Sequence, residues 1–253
     1  MKKLIVIPLG TVSPYCKQNM NCPCFLIKYE NNNILLDCGN GITRLMNFPT
    51  DLENLHVFVS HFHKDHYGDL GAIQYASFVY HNLGVTKQPI KIYLPENDFN
   101  FSKQEILSNN EAYANYYDIS EEKEYFIGNL KVSFHNNNSH TIETFTIKVE
   151  TADFKVVYTS DVGNTNIEGL AKFCNNADLL ICESSFLKKH NSNSKTHLTA
   201  YDAANIAKQA NVKKLLLTHF WPEENKKEYL REAKSVFKRT KVAKEGKKIV
   251  LRS

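Results

Sequence analysis

The chain has 253 residues, 42% hydrophobic and 23% charged, which is ordinary for a globular protein with a sizeable core. These values exclude a fibrous or disordered chain, and no stretch approaches the roughly 18 consecutive apolar residues that cross a bilayer. The formal net charge of +4 suits an anionic substrate but is too small to indicate nucleic-acid binding by itself. We expect one α/β domain over residues 1–253, in the cytoplasm and without a membrane span.

The amino-terminal apolar run is predicted to be a β-strand. It extends from Leu4 to Leu9, contains Pro8 and reaches Gly10 without a small-residue cleavage site, which is not the pattern of a signal peptide. The six cysteines contain no C-x-x-C pair and the chain resembles an intracellular one, so they are expected to be free, buried thiols.

The first half is predicted to consist of strands, with a short helix after Gly41 to about Phe48 and a longer helix from Gly68 to Leu83. The polar segment Glu96 to Glu124 is expected to be an irregular cap beside the site. The predicted strands are Lys3–Leu9, Cys24–Tyr29, Ile34–Asp37, Leu55–Val59, Ile90–Leu94, Tyr125–Phe126, Leu130–Phe134, Phe145–Val149 and Lys155–Thr159.

The second half is predicted to alternate helices and strands, which is typical of α/β architecture. The helices are expected at Ile167–Cys174, Ala200–Gln209 and Lys226–Phe237, and the strands at Leu179–Cys182, Lys214–Leu217 and Ile249–Leu251. The segment from Lys226 to Arg252 is rich in Lys and Arg, which favours a solvated helix face and tail over a binding patch.

The stretch His61-Phe62-His63-Lys64-Asp65-His66 places three imidazoles and a carboxylate within six residues. Imidazole nitrogen and carboxylate oxygen are ligands that suit zinc. In an extended loop His61 and His63 would serve one ion, while Asp65 and His66 would reach a second. A solvated polar loop would leave these side chains crowded without partners.

Three further candidate ligands follow apolar strands at their ends. They are His140 after an Asn-rich turn, Asp161 in Thr159-Ser160-Asp161, and His219 in Leu217-Thr218-His219. The order H-x-H-x-D-H, His, S-D, T-H resembles that of the metallo-β-lactamase superfamily over nearly the whole chain. The resemblance implies a four-layer αββα sandwich with two divalent metal ions at one edge, and the ions are expected to be zinc, with manganese or iron as alternatives.

Residue by residue, the resemblance assigns His61, His63 and His140 to one metal. It assigns Asp65, His66 and His219 to the other, with Asp161 bridging the two. A bridging Asp in place of Cys is similar to the hydrolase and phosphodiesterase branches, not to the antibiotic-cleaving enzymes.

The motifs Lys195-Thr196-His197-Leu198-Thr199 and Asp37-Cys38-Gly39 resemble those of the small zinc phosphodiesterases related to ribonuclease Z. Only 20 residues separate His140 from Asp161, which leaves no room for the long tRNA-gripping arm that many members carry there. The resemblance therefore implies a small-molecule or nucleotide phosphate ester as substrate, with RNA as an alternative, and a homodimer.

Supporting roles are predicted for a few polar residues. His197 is expected to protonate the leaving group or to bind a substrate oxyanion, and Asp65 and His197 are the candidate catalytic residues. Asp37 is expected to orient a ligand histidine or to serve only the turn, and Glu183 to orient a ligand or contact the substrate. Asp69 is expected to cap the following helix. The remaining four histidines of the chain are expected to have structural roles. They are His56, His81, His135 and His190.

The mechanism expected of two such ions is hydrolysis by a shared, acidified water that both ions help to activate. The leading hypothesis is a phosphodiesterase. The alternatives are a 3′-tRNA-processing endonuclease, a lactonase or thioesterase, a non-hydrolytic metal protein, and an iron redox protein. The last of these usually carries a flavin domain, for which the chain has no length.

Overall fold

The structure is a computed structural model that describes residues 2–97, 114–190 and 195–253. Its strands are β1 Lys3–Gly10, β2 Cys24–Tyr29, β3 Asn32–Leu36, β4 Leu55–Phe58, β5 Ile90–Pro95, β6 Ala114–Ile119, β7 Glu124–Ile127, β8 Leu130–Asn136, β9 Phe145–Glu150, β10 Lys155–Tyr158, β11 Leu179–Glu183, β12 Leu215–Thr218, β13 Thr240–Val242 and β14 Ile249–Arg252. Its α-helices are α1 Lys64–Tyr67, α2 Leu70–Asn82, α3 Ile167–Phe173, α4 Ala200–Gln209 and α5 Lys226–Lys234, and 3₁₀ turns lie at Ile42–Leu45, Thr50–Leu52 and Lys188–His190. No helix in these ranges is long and apolar enough to cross a membrane.

The strands form two seven-stranded mixed sheets. The first has the order β14-β1-β2-β3-β4-β5-β6, and the second has the order β13-β12-β11-β10-β9-β8-β7. The inner faces of both sheets share one apolar core, in which the rings of Phe25 and Tyr158 lie 5.4 Å apart between centroids.

Helices cover the two outer faces of the sheets. Leu70 and Ile73 of α2 pack on the first sheet, whereas α3, α4 and α5 pack on the second through a separate apolar cluster. Strand β11, with the sequence LLICE, is buried along its whole length because it lies between two layers. The four-layer αββα sandwich expected from the resemblance is confirmed.

The parallel strands of both sheets end at one edge of the sandwich. Strands β3, β4 and β5 run parallel in the first sheet, as do β10, β11, β12 and β13 in the second. Three residues that follow these strands have left-handed backbone, namely Asp37 with φ 57°, Ser160 with φ 53° and His219 with φ 63°. Such turns re-aim side chains at the carboxyl ends of strands, where ligands bind in α/β folds.

Several predicted elements were wrong. The segment after Gly41 forms two 3₁₀ turns interrupted by Pro49, not a helix to Phe48. Ala114–Ile119, within the expected irregular cap, is the edge strand β6, and residues 98–113 of that cap lie outside the described residues. Asp69 does not cap α2 through its side chain, which instead accepts hydrogen bonds from the backbone N–H groups of Gly41 and Thr43.

The six cysteines are free thiols, as predicted. Five are buried, but Cys16 is exposed, so the expectation of burial was wrong for that residue.

Strand β13, which the sequence analysis did not predict, is a three-residue strand at the edge of the second sheet.

Candidate metal centre

Asp161 lies among the predicted ligand histidines, three residues after the end of β10, and its side chain is almost fully buried. Its Oδ2 atom faces one group of imidazoles: His61 Nε2 at 3.4 Å, His63 Nδ1 at 3.7 Å and His140 Nε2 at 3.9 Å. His61 and His63 follow β4, and His140 lies in the loop between β8 and β9. The three imidazole nitrogens thus lie within 3.9 Å of one carboxylate oxygen.

The other oxygen of Asp161 faces a second group. Oδ1 lies 2.8 Å from His219 Nε2 and 3.2 Å from His66 Nε2. Asp65 completes this group, because its Oδ2 atom is 3.6 Å from His66 Nε2 and 3.8 Å from His219 Nε2. Asp65 and His66 lie in α1, and His219 follows β12, so the group draws on both sheets.

Hydrogen bonds at the far nitrogens fix the orientation of three of these rings. Asp37 Oδ2 is 2.7 Å from His66 Nδ1, Ser60 Oγ is 2.9 Å from His61 Nδ1, and Ser185 Oγ is 2.8 Å from His219 Nδ1. In each case Nε2 is left facing Asp161. This arrangement is typical of ligand histidines, whose second nitrogen is held by a carboxylate or hydroxyl.

The buried carboxylates of Asp37, Asp65 and Asp161 make the centre electronegative. Burial by itself would lower the pKa of His66, but the three carboxylates outweigh it and raise that pKa well above the usual range. At His61 the effect of burial dominates and lowers the pKa to about 4. A buried carboxylate cluster of this kind is an environment that favours cations.

Buried polar atoms without hydrogen-bond partners indicate whether these residues could hold metal ions. The buried atom His140 Nε2 has no hydrogen-bond partner among the described residues, and it lies 3.9 Å from Asp161 Oδ2. Ligand atoms of His61, His66 and Asp161 lie within 4.8 Å of one another, as do those of Asp65, His66 and His219. Because buried polar atoms seldom lack partners, this donor set fits divalent metal ions.

A histidine and a carboxylate lie beside the metal cluster. Glu183, the last residue of β11, places Oε1 2.9 Å from Nδ1 of His197 and accepts a hydrogen bond from the backbone N–H of Val162 at 3.0 Å. Burial alone would lower the pKa of His197, but the Glu183 carboxylate outweighs it and raises the pKa to about 9. Bound divalent ions would oppose that rise through their charge.

The structure brings together all eight residues predicted to be ligands or catalytic: His61, His63, Asp65, His66, His140, Asp161, His197 and His219. It places Asp37 and Glu183 in direct contact with histidines of the cluster. The other four histidines bond elsewhere, with Tyr93 for His56, the Thr86 carbonyl for His81, Glu121 for His135 and Glu224 for His190.

Some functional candidates were missed by the sequence analysis. Ser13 donates a hydrogen bond to Asp65 Oδ2 at 2.8 Å, and Tyr158 donates one to Asp37 Oδ2 at 2.7 Å. Ser185 donates to Glu183 Oε2 at 2.8 Å while holding His219. Serine and tyrosine hydroxyls are frequent in any chain, so no spacing in the sequence distinguishes these three.

The family of the chain follows from comparison with known proteins. The family profile described as "Beta-lactamase superfamily domain" matches residues 32–220. The chain belongs to this superfamily. Superfamily relatives include the "Probable metallo-hydrolase YhfI" of Bacillus subtilis, 29% identical over 95% of this chain and 97% of the relative, and ribonuclease Z of Ignicoccus hospitalis, 28% identical over 98% of each.

Solved superfamily structures have the same fold. The metallo-beta-lactamase fold protein YhfI from Bacillus subtilis has a TM-score of 0.89 at 25% identity, covering 98% of this chain and 99% of that one. The short form of human tRNase Z has a TM-score of 0.71 at 24% identity, covering 97% and 98%. The protein is therefore a metallo-hydrolase of the β-lactamase superfamily with the metallo-β-lactamase fold.

Proposed function

We propose that this metallo-hydrolase is a phosphodiesterase that works with two divalent metal ions. The observation that carries the proposal is the division of the Asp161 carboxylate, whose two oxygens face two separate groups of ligand atoms. A structural zinc site would need one closed set of four ligands and no second group beside it.

In the proposed site, His61, His63 and His140 hold one ion, Asp65, His66 and His219 hold the other, and Asp161 contacts both. Two such ions supply an acidified water as nucleophile and positive charge for the phosphoryl oxygens. Nitrogen and oxygen donors suit zinc, and manganese or iron can occupy the same set. Asp65 acts as a ligand whose orientation Ser13 fixes.

His197 is the group proposed to transfer a proton. Glu183 fixes its Nδ1 atom, which leaves Nε2 to donate to the departing oxygen of the substrate. Ligand atoms of His140, Asp161 and His197 lie within 4.8 Å of one another, so this imidazole would face a phosphate bound at the proposed metal ligands. Alkoxides leave phosphodiesters poorly without a proton, and general acid catalysis contributes about a hundredfold or more.

An aromatic surface beside His197 favours a nucleotide as the esterified group. The ring of Phe186 lies 6.0 Å from that of His197 and 5.2 Å from that of Trp221, which is 37% exposed. Trp221 also stacks on His190 at 5.0 Å. A base can stack on an exposed indole ring, so a nucleotide or RNA end suits this surface.

Processing of tRNA is the second candidate function, because relatives named ribonuclease Z cover more than nine-tenths of this chain. The 20 residues between His140 and Asp161 instead form the loop into β9, strands β9 and β10 and the turn between them. An enzyme without the arm there would have to hold tRNA by another surface, and its binding would weaken steeply with salt.

The proposal is tested by hydrolysis of bis(p-nitrophenyl) phosphate by protein loaded with zinc or manganese. We expect turnover that a chelator abolishes and that Asp161→Ala or His66→Ala lacks, with metal content measured in parallel. Lactone and thioester substrates are the comparison. Turnover of those substrates alone, by protein shown to hold two metals, would replace phosphodiester hydrolysis by acyl hydrolysis.

A further inference from the structure

A groove of about 640 Å³ lies on the side of the sandwich, at the open edges of β13 and β14. It shares no residue with the metal cluster. Its lining consists of nine cationic residues, seven aliphatic residues and one threonine. They are Lys213, Lys214, Lys234, Lys238, Arg239, Lys241, Lys244, Lys247 and Lys248, then Leu179, Leu215, Leu216, Leu230, Val242, Ile249 and Val250, and Thr240.

The charged residues that line this groove are all positive. All nine cationic residues are exposed, and no carboxylate lines the groove within the described part of the chain. Over residues 2–97, 114–190 and 195–253, Lys213 is the one lining cation that forms an ion pair, with Asp178 at 2.7 Å. Like charges held this close repel one another, so a ligand with several negative charges would be attracted.

The floor of the groove is aliphatic. Leu215 and Leu216 belong to the buried core, and Val242, Ile249 and Val250 are half-buried, so that part of their surface is open to the groove. No aromatic ring lines it, whereas single-stranded nucleic acids are usually bound by stacking their bases on aromatic rings. The floor therefore suits aliphatic side chains better than bases.

The strands at the rim have open edges. The carbonyl of Arg239 accepts a hydrogen bond from the N–H of Leu215, and the N–H of Ala243 donates one to the carbonyl of Leu217, so the residues that flank β13 are tied to β12. By the alternation of a β-ladder, the backbone groups of Thr240 and Val242 point away from β12, towards the open edge. An extended peptide can add to such an edge through its main chain.

We propose that this groove binds an extended acidic segment of a partner protein in which aliphatic residues alternate with Asp or Glu. The cations attract its carboxylates, the aliphatic floor receives its apolar side chains, and β13 pairs with its backbone. The sequence pattern alone favoured a solvated helix face and tail for Lys226 to Arg252, but the fold gathers seven cationic residues of that segment with Lys213 and Lys214 around one concave surface. Lysines on the edge also prevent pairing of the strand with a second copy of this chain.

The probe is a fluorescein-labelled peptide of about ten residues that alternates Glu or Asp with Val or Leu, a length that spans one added strand. Its anisotropy is followed with the full chain. The comparison ligands are a peptide of the same composition with acidic and aliphatic residues in separate blocks, a polyglutamate of equal charge, a peptide N-methylated at alternate residues, and a single-stranded oligoribonucleotide.

The groove variant is Lys241→Glu with Lys248→Glu, and the matched control is Lys87→Glu with Lys172→Glu, which makes the same change of charge at exposed positions outside the groove. We expect the groove variant to weaken binding of the alternating peptide at least tenfold and the control to weaken it less than threefold, with unchanged melting temperatures in both. The blocked and N-methylated peptides should bind at least tenfold more weakly.

Three outcomes would overturn the proposal. Equal affinity for polyglutamate would show that charge alone is recognised. Tighter binding of the oligoribonucleotide, lost in the groove variant, would make the groove a nucleic-acid surface. Absence of peptide binding, or binding that the groove variant leaves unchanged, would remove the groove as the binding site. None of these readouts depends on phosphodiesterase activity.

Discussion

His56, in β4, should make the stability of the protein depend on pH through a group remote from the metal cluster. Its imidazole is buried, with Nδ1 2.9 Å from the hydroxyl of Tyr93. Burial, assisted by the charge of Lys91, lowers the pKa of His56 to about 4, from an ordinary value near 6.5. The folded protein therefore resists protonation of this ring, while the unfolded chain accepts the proton.

The sign and size of the effect follow from this difference. A histidine with a depressed pKa contributes its full stability above its unfolded pKa, and that contribution is lost as the pH falls from about 6.5 towards 4. Between pH 7.5 and pH 5 the loss is about 2 kcal/mol for pKa values of about 4 and 6.5. His56→Gln cannot be protonated and should lack this loss.

The measurement is urea unfolding followed by fluorescence of Trp221, the single tryptophan, at pH 7.5 and at pH 5. Wild type and variant carry identical metal ligands, so the contribution of the metal site to pH dependence cancels in the comparison. Tyr93→Phe keeps the imidazole and should retain the wild-type pH dependence. Parallel losses of stability in wild type and His56→Gln would refute the reasoning.

Four further predictions concern the candidate site. Asp37→Asn replaces the carboxylate that faces the hydroxyls of Ser60 and Tyr158 and the ring of His66 with an amide. It should weaken metal binding about 10- to 100-fold, measured by competition with a chelator. It should also lower the free energy of unfolding by about 2–4 kcal/mol. Removal of metal by a chelator should lower the melting temperature, since free metal at a concentration about 1,000 times its Kd stabilises the fold by about 4 kcal/mol. A melting temperature that the chelator leaves unchanged would contradict the assigned ligands. His197→Gln should lower kcat about a hundredfold for a dinucleotide, whose alkoxide leaves poorly, and much less for bis(p-nitrophenyl) phosphate, whose leaving group needs no proton; equal losses on both substrates would argue against proton donation. Trp221→Ala should raise KM about tenfold for thymidine 5′-(p-nitrophenyl phosphate) and leave methyl p-nitrophenyl phosphate unchanged, with Trp221→Phe as the control that keeps a ring for stacking.

The sequence predicted the αββα architecture, and the side chains it proposed as metal ligands lie close together in the structure. It did not predict the hydroxyl groups and edge strands around them. Strands such as β11 and the run from His61 to His66 carry dense local signals, in apolar periodicity and in crowded imidazoles. Edge strands carry weak ones: β6, with the sequence ANYYDI, alternates exposed and half-buried residues and has little apolar pattern to detect.

Contacts between distant segments account for most of what could not be predicted. Ser13 reaches Asp65 across 52 positions in the chain, and Tyr158 reaches Asp37 across 121. A hydroxyl acquires its role only when the fold brings it to a carboxylate, and no local spacing records that. The same limit applied to Asp69, which is a good helix cap by composition but bonds to Gly41 and Thr43 instead.

The division of the proposed ligands between the two sheets has a consequence for synthesis of the chain. His61, His63, Asp65 and His66 are made early, but His140, Asp161 and His219 follow much later, and the last of them emerges only after residue 218. A ribosome-bound amino-terminal half would present His61, His63 and His66 without Asp161, the carboxylate that faces both groups of ligand atoms. In the proposed site, both groups of ligands would be complete only after the two sheets have docked, and metal captured before then would be held by part of the ligand set.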